Sequence, residues 1–418
     1  MRVLFAVIPL SSHVRTNIPL AQALRSAGHD VRFAGHPNAE GLITGAGMHA
    51  VLLGDVLDKS QELLDDSAES DGIALDPDAP DAWEHVHEAL LRDLVADYFG
   101  PRPPGGRSIV DELVDHCRTY RPDLVIWDPL FLPAAVAARA CGAAHGRLLW
   151  ASDNIGLLRA KAVERALRDG GSAGDDPWVR ALLPAWRRHG LEFGEDLITG
   201  QWSISTVPER MRPAVAHTYL PMRYVPFDGG AAVPGWLHGA PERPRLCVTW
   251  GGTARSVTER ESAVGLPTLF EAVADLDCEV VATVHPDQLA QAGPVPGNVR
   301  TVEYVPLSML LPTCTAVVHQ GGDSTFATAV AHGLPQVVNL APKWGELYVA
   351  RYLEDRGAGV VLRERDSSAA EVRGHLERVL TDPSYRRAAG VLREEMMATP
   401  TPHDLVAVLE NVVMRHRR

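Results

Sequence analysis

The order of secondary-structure signals constrains this 418-residue chain more than its composition does. "RVLFAVIPL", starting at Arg2, is an apolar run, after which a helix is expected from about Val14 to Ala27. A turn at Gly28 and a second strand, "DVRFAGHP", come next. Strands that are apolar without alternation are buried on both faces, which means a parallel sheet covered by helices. "PDLVIWDPL" is another such strand and leads into a helix, "PAAVAARACG". A second series opens at "PRLCVTWGG" and continues through a helix around Pro267–Leu276, then "EVVATVHP", "VRTVEYVP", "AVVHQGG" and "PQVVNLA". Between the two series lies an aperiodic Pro- and Gly-rich stretch, taken as a linker over residues 221–244. The fold class is therefore α/β: two tandem Rossmann-like, doubly wound domains, 1–220 and 245–400, facing a cleft. A C-terminal helix over 401–418 is expected to pack back on the first domain. Ligands in such sheets bind beyond the carboxyl ends of the strands.

Composition narrows the class of partner. The net charge of −13 argues against nucleic acid. Residues 55–84 hold eleven acids and one base, Lys59, so most of that charge sits in one tract. A run of this kind is expected to be a solvated loop, and "DPD" at Asp76–Asp78 belongs to it rather than to a metal site. No apolar run approaches the roughly 18 residues of a membrane span. The N-terminal apolar run lacks a small-residue cleavage site and is expected to be a core strand. Five scattered cysteines without a C-x-x-C pair indicate neither a disulfide framework nor a cysteine zinc site, which suits a cytoplasmic location.

Three strand ends carry candidate chemistry. In "VVHQGGDST", two glycines let the backbone turn after the strand, and Ser324 and Thr325 are expected at the helix N-cap. Free N–H groups and the helix dipole there favour an anion, and His319 would add a donor for a diphosphate; a plain capped turn is the alternative. The stretch matches neither a Walker motif nor G-x-G-x-x-G. His13 is expected just before the first helix, either as a local hydrogen-bonding group or as a base that works near neutral pH. Asp128, at the end of "VIWD", would orient that imidazole; otherwise it is a turn residue before proline. His85 and His87 lie two apart on a helix, so they cannot chelate together. The Arg and Lys residues of "GLLRAKAVERALRDGG" are expected to be solvated.

Taken in order and spacing, these segments resemble the GT-B-fold glycosyltransferases (family 1) of actinomycete antibiotic pathways, the macrolide and anthracycline deoxysugar transferases. The likeness is carried by Leu124–Trp150, "GQWSI" at Gly200–Ile204, Met222–Leu237, Asn298–Gly322, "HGLPQVV" at His332–Val338 and "REEMMATPTP". It implies His13 as the general base on the acceptor hydroxyl and Asp128 as its paired acid. It implies a diphosphate on His319, Gly321, Gly322, Ser324 and Thr325, with Thr253 of "WGGT" nearby. Tyr304 and Val305 of "VEYVP" stand where relatives hold the pyrimidine ring. Trp344 is retained beside the sugar position. The acid expected after it is replaced by Gly345, however, with Glu346 following, and Asp323 and Ser324 replace a proline and a glycine.

The resemblance implies an inverting transfer of a deoxysugar from a TDP-sugar to a hydrophobic polyketide-type acceptor. Its transition state is oxocarbenium-like, and no metal or other cofactor is needed. A partner is also known among relatives: a haem-less, cytochrome-like activator protein, for which residues 55–115 are a plausible docking region; a homodimer is a further option. Two alternatives stand beside this: a nucleotide-sugar epimerase of the same fold, and a non-catalytic auxiliary relative. The apolar content near Trp150 and Trp202 speaks against the first. The joint presence of His13, Asp128 and His319 speaks against the second.

Overall fold

The structure is a computed structural model, and it describes residues 1–57, 82–100, 106–170, 176–251, 262–341, 344–363 and 367–416. The chain divides into two compact units. The first holds the described residues of Met1–Asp58, Asp78–Arg223 and Pro400–Arg418; the second holds those of Tyr224–Thr399.

The first unit is built on β1 (Arg2–Ala6), β2 (Asp30–Gly35), β3 (Ala50–Leu52), β4 (Leu124–Trp127), β5 (Ala144–Leu149), β6 (Ser203–Ser205) and β7 (Tyr219–Pro221). They form one parallel sheet in the order β3-β2-β1-β4-β5-β6-β7. β1 and β4 sit at its centre, with all of Val3–Ala6 and Leu124–Trp127 buried, as continuous apolar runs require. The strand order reverses between β1 and β4, and this reversal opens a crevice at their carboxyl ends. The C-terminal helix (Pro402–His416) packs on the first helix (Ser11–Ser26) and on β5, within this unit.

The second unit repeats the plan with β8 (Arg245–Thr249), β9 (Glu279–Thr283), β10 (Val299–Val302), β11 (Ala316–His319), β12 (Gln336–Asn339) and β13 (Gly359–Leu362). Their order is β10-β9-β8-β11-β12-β13, again parallel, with the reversal between β8 and β11.

Several expectations are corrected here. The stretch 221–244 is not a free linker. The division falls at Arg223/Tyr224, and the chain beyond it packs on the second unit. Leu237 is buried in its core with Trp236 against it, and Asp228 accepts from the Tyr304 hydroxyl (2.8 Å) and the Ser308 N–H (3.0 Å). The first helix begins at Ser11, so His13 lies inside its first turn. Arg159, on a helix taken to have a solvated basic face, is buried against Glu195 and Asp176. "DPD" and most of the acidic tract lie outside the described residues.

Candidate active site

In the first unit, the crevice at the ends of β1 and β4 brings two predicted residues together. Asp128 follows β4 directly, and its N–H extends the ladder by donating to Ala6 O at 2.9 Å. Its side chain is fully buried. Oδ1 accepts the N–H of Leu130 (2.9 Å), and Oδ2 lies 2.7 Å from His13 Nδ1. A carboxylate can only accept, so Nδ1 carries the proton and Nε2 is left as the basic nitrogen. Asn17 fixes the helix turn by donating to His13 O at 2.8 Å. Nε2 has no hydrogen-bond partner among the described residues. The result is an imidazole oriented by a buried carboxylate, with Nε2 left as its hydrogen-bond acceptor.

Trp150 packs on this imidazole with ring centroids 4.1 Å apart and planes at 43°. It sits one residue beyond β5, and the loop that carries it is tied down from below. Arg147, fully buried in β5, makes two bonds to Asp153 (2.9 and 2.6 Å) and one to Ser203 Oγ (3.0 Å). Asp153 also accepts from the Tyr219 hydroxyl (2.8 Å) and from Gly156 N–H (2.8 Å), which caps the helix Asn154–Arg168. Burial pushes the Asp153 carboxyl up, but the Arg147 guanidinium and these donors outweigh it and hold it below the usual range. Neighbouring His217, bonded to Ser203, is pushed down to about 4 by burial and by Arg147. These bonds among Arg147, Asp153, Ser203 and Tyr219 hold the start of the loop in place.

In the second unit, β11 ends at His319, which is buried. Its Nδ1 accepts the N–H of Gly321 (3.1 Å), so Nε2 carries the proton and donates to Gln336 Oε1 (2.8 Å). Burial pushes its pKa down to about 4. Both nitrogens are occupied within the protein, so this His shapes the turn and does not, as placed, offer a donor to a diphosphate. Gly321 takes φ of 104°, a conformation that favours glycine, and a Cβ there would lie 3.0 Å from that of Glu346. Gly322, not Ser324 or Thr325, is the N-cap of the helix Asp323–Ala331. Those two residues lie in its first turn, and no side chain caps it. The N–H groups of that first turn, for which a helix supplies no carbonyl partners of its own, are what an anion would meet.

Around this turn, Tyr304 is 46% exposed with its hydroxyl donated to Asp228 O, whereas the Val305 side chain is in the core. Trp344 is half-buried, and its N–H and that of Gly345 both donate to Glu346 Oε2 (2.8 and 3.0 Å). A Cβ on Gly345 would lie 3.2 Å from Asp323 Oδ2. Burial and the Glu346 charge push the Asp323 carboxyl well above its ordinary range. Thr253 lies outside the described residues. Sequence reasoning missed Trp150 as a neighbour of the base, the Arg147–Asp153 support and Gln336 as the partner of His319.

Two doubly wound parallel sheets in tandem, each reversing its strand order once, make up a GT-B-type fold, the fold of its glycosyltransferase neighbours. The structure is similar to that of the glycosyltransferase VinC in complex with dTDP, with a TM-score of 0.87 and 36% identity over 99% of this chain and all of that one. Models of the erythromycin biosynthesis protein CIII-like N-terminal and C-terminal domains match residues 22–251 and 267–412, and the chain belongs to this EryCIII-like family of glycosyltransferases. It is 41% identical to the tylactone mycaminosyltransferase of Streptomyces fradiae, over the whole chain and 93% of that relative. It is 38% identical to the aclacinomycin-T 2-deoxy-L-fucose transferase of Streptomyces galilaeus, over the whole chain and 97% of that relative.

Proposed function

We propose that this glycosyltransferase moves a deoxysugar from a TDP-sugar to a hydroxyl of a macrolide- or anthracycline-like polyketide aglycone, inverting the anomeric centre and using no metal. The relatives' names specify deoxysugars and the acceptors tylactone and aclacinomycin T, and VinC was solved with dTDP. The observation that carries the mechanism is the His13–Asp128 pair, which leaves Nε2 as an oriented acceptor.

Nε2 takes the proton from the acceptor hydroxyl as it attacks, and Asp128 stabilises the imidazolium; this contributes roughly 10²–10⁴-fold. Attack on the face opposite the diphosphate inverts the sugar through an oxocarbenium-like transition state. The N–H groups at the start of Asp323–Ala331 take up the charge that builds on the departing diphosphate. His319 and Gln336 hold that turn in shape, the exposed Tyr304 ring stacks on the pyrimidine with the Val305 backbone beside it, and Thr253 adds a contact to the diphosphate. Trp344 and Glu346 line the sugar. Residues 1–220 with the C-terminal helix serve the acceptor, and residues 245–400 the donor.

Among the described residues no group of three or more His, Cys, Asp or Glu could hold a metal, and no helix is long and apolar enough to cross a membrane. We place the enzyme in the cytoplasm. Dependence on an activator protein, and self-association, are further proposals that the same preparation can test. Calorimetry with TDP, UDP and TDP plus a chelator is the test: TDP should bind tighter than UDP, unaffected by the chelator. Binding of neither nucleotide, or binding only with magnesium, contradicts the proposal.

A further inference from the structure

β8 and β11 are neighbours at the strand reversal of the second sheet, and the residues that follow them come together. Trp250 and Gly251 follow β8, and Gln320 follows β11. The Gln320 carbonyl accepts the N–H of Ala341 at 3.3 Å, which fixes the backbone of Gln320 beside the end of β12. Its half-buried side chain reaches between two glycines. A Cβ on Gly251 would lie 2.9 Å from Gln320 Nε2, and one on Gly322 would lie 2.7 Å from the same nitrogen. A side chain at either position would push the amide away, so two bare Cα atoms give it its place. Gly322 is the N-cap of Asp323–Ala331, so Nε2 stands beside the first turn of that helix, whose backbone N–H groups face an incoming anion.

We propose that Gln320 is a diphosphate-binding residue: given the nucleotide-sugar donor proposed above, its Nε2–H group donates to a phosphate oxygen alongside the N–H groups of that turn.

Among the described residues the amide bonds to nothing: Oε1 is enclosed without a partner, and Nε2 donates to no acceptor. Buried polar groups are hydrogen-bonded in the great majority of cases, and an amide left unbonded at a ligand site is available to the ligand. The side chains around it are placed differently. His319 uses both ring nitrogens within the protein, on the Gly321 N–H and on Gln336. Asp323, if ionised, would repel a diphosphate; burial and the Glu346 charge push its carboxyl well above the ordinary range, towards the neutral form. The Gln320 amide does not titrate, so it is a donor at any pH at which the protein is folded. A hydrogen bond from it to a charged phosphate oxygen is about twice as strong as one between neutral groups.

Calorimetry with TDP, and NMR titration with phosphate-free thymidine, tests this on the full chain. In Gln320→Ala, TDP affinity should fall about 10- to 100-fold, the loss of one hydrogen bond to a charged group, while thymidine affinity stays within about threefold of wild type. Gln320→Glu keeps the size of the side chain but replaces the donor by a carboxylate, so it should bind TDP at least as weakly as Gln320→Ala. Equal TDP affinity in wild type and Gln320→Glu would overturn the proposal. So would a loss in Gln320→Ala that is the same for thymidine as for TDP, which marks a residue that only braces the turn. Wild type that binds neither TDP nor UDP would overturn the proposed function as well; wild type that binds TDP, with variants that bind it equally, overturns the role of Gln320 alone.

Discussion

His13 and His319 both lie at the strand reversal of a parallel sheet, are both almost wholly buried, and hold opposite protons. His13 gives its Nδ1 proton to a carboxylate and leaves Nε2 unbonded. His319 receives an amide proton on Nδ1 and gives its Nε2 proton to a neutral amide. In the proposed mechanism the first arrangement serves as the base, with Asp128 facing the imidazolium that forms. The second makes a fixed strut: nothing anionic is bonded to the ring, and burial disfavours its charged form. The same residue type in equivalent surroundings thus does different work, decided by one neighbouring side chain.

Variants that break this contrast are ordered by expected effect. His13→Ala and Asp128→Asn should each lower kcat by about 10²–10⁴-fold while leaving TDP affinity unchanged, as steady-state kinetics and calorimetry would show. Near-normal turnover of His13→Ala removes it from the mechanism.

The strut makes a prediction about stability. The folded-state pKa of His319, about 4, is below its ordinary value of 6.5, so the unfolded chain binds more protons between those limits. Its contribution is complete above about pH 6.5 and is lost as the pH falls towards 4, on the order of 3 kcal/mol in all. Urea melts at pH 7 and pH 4.5 should show a smaller acid loss in His319→Asn than in wild type. Equal losses would mean that the ring is not held neutral.

Trp150→Ala should be milder. Removing an aromatic contact of about 0.5–1.5 kcal/mol frees the His13 ring, and kcat should fall about two- to tenfold, with recovery in Trp150→Phe. An unchanged kcat would reduce Trp150 to packing.

How much of this was legible in the sequence tracks the apolar pattern closely. β1, β2, β4 and β8 to β12 read as strands from their apolar residues, which are largely buried in all of them but β10. β5 did not, because "AHGRLL" carries a buried His, Gly and Arg whose partners lie outside the strand: Asp196 for His145 Nε2, Asp153 for Arg147 and Trp202 packed on Gly146. β3, β6 and β7 are three residues long, too short for any period to show. In the candidate site, His13 and Asp128 were found because each directly follows an apolar run. Their tautomer was not, because it depends on partners 115 residues apart. Ser324 and Thr325 were taken as caps from residue type, whereas the backbone of Gly322 performs that role. Gln336 lies seventeen residues from His319 in a neighbouring strand, and only the sheet register brings them together.

The division of labour between the two histidines is tested most directly by ¹⁵N NMR of the imidazole nitrogens in selectively labelled protein at neutral pH. The predicted result is the Nδ1–H tautomer for His13 and the Nε2–H tautomer for His319, each assigned by loss of its signals in His13→Ala and His319→Asn. Finding the same tautomer at both positions, or a protonated His319 at neutral pH, would contradict the account.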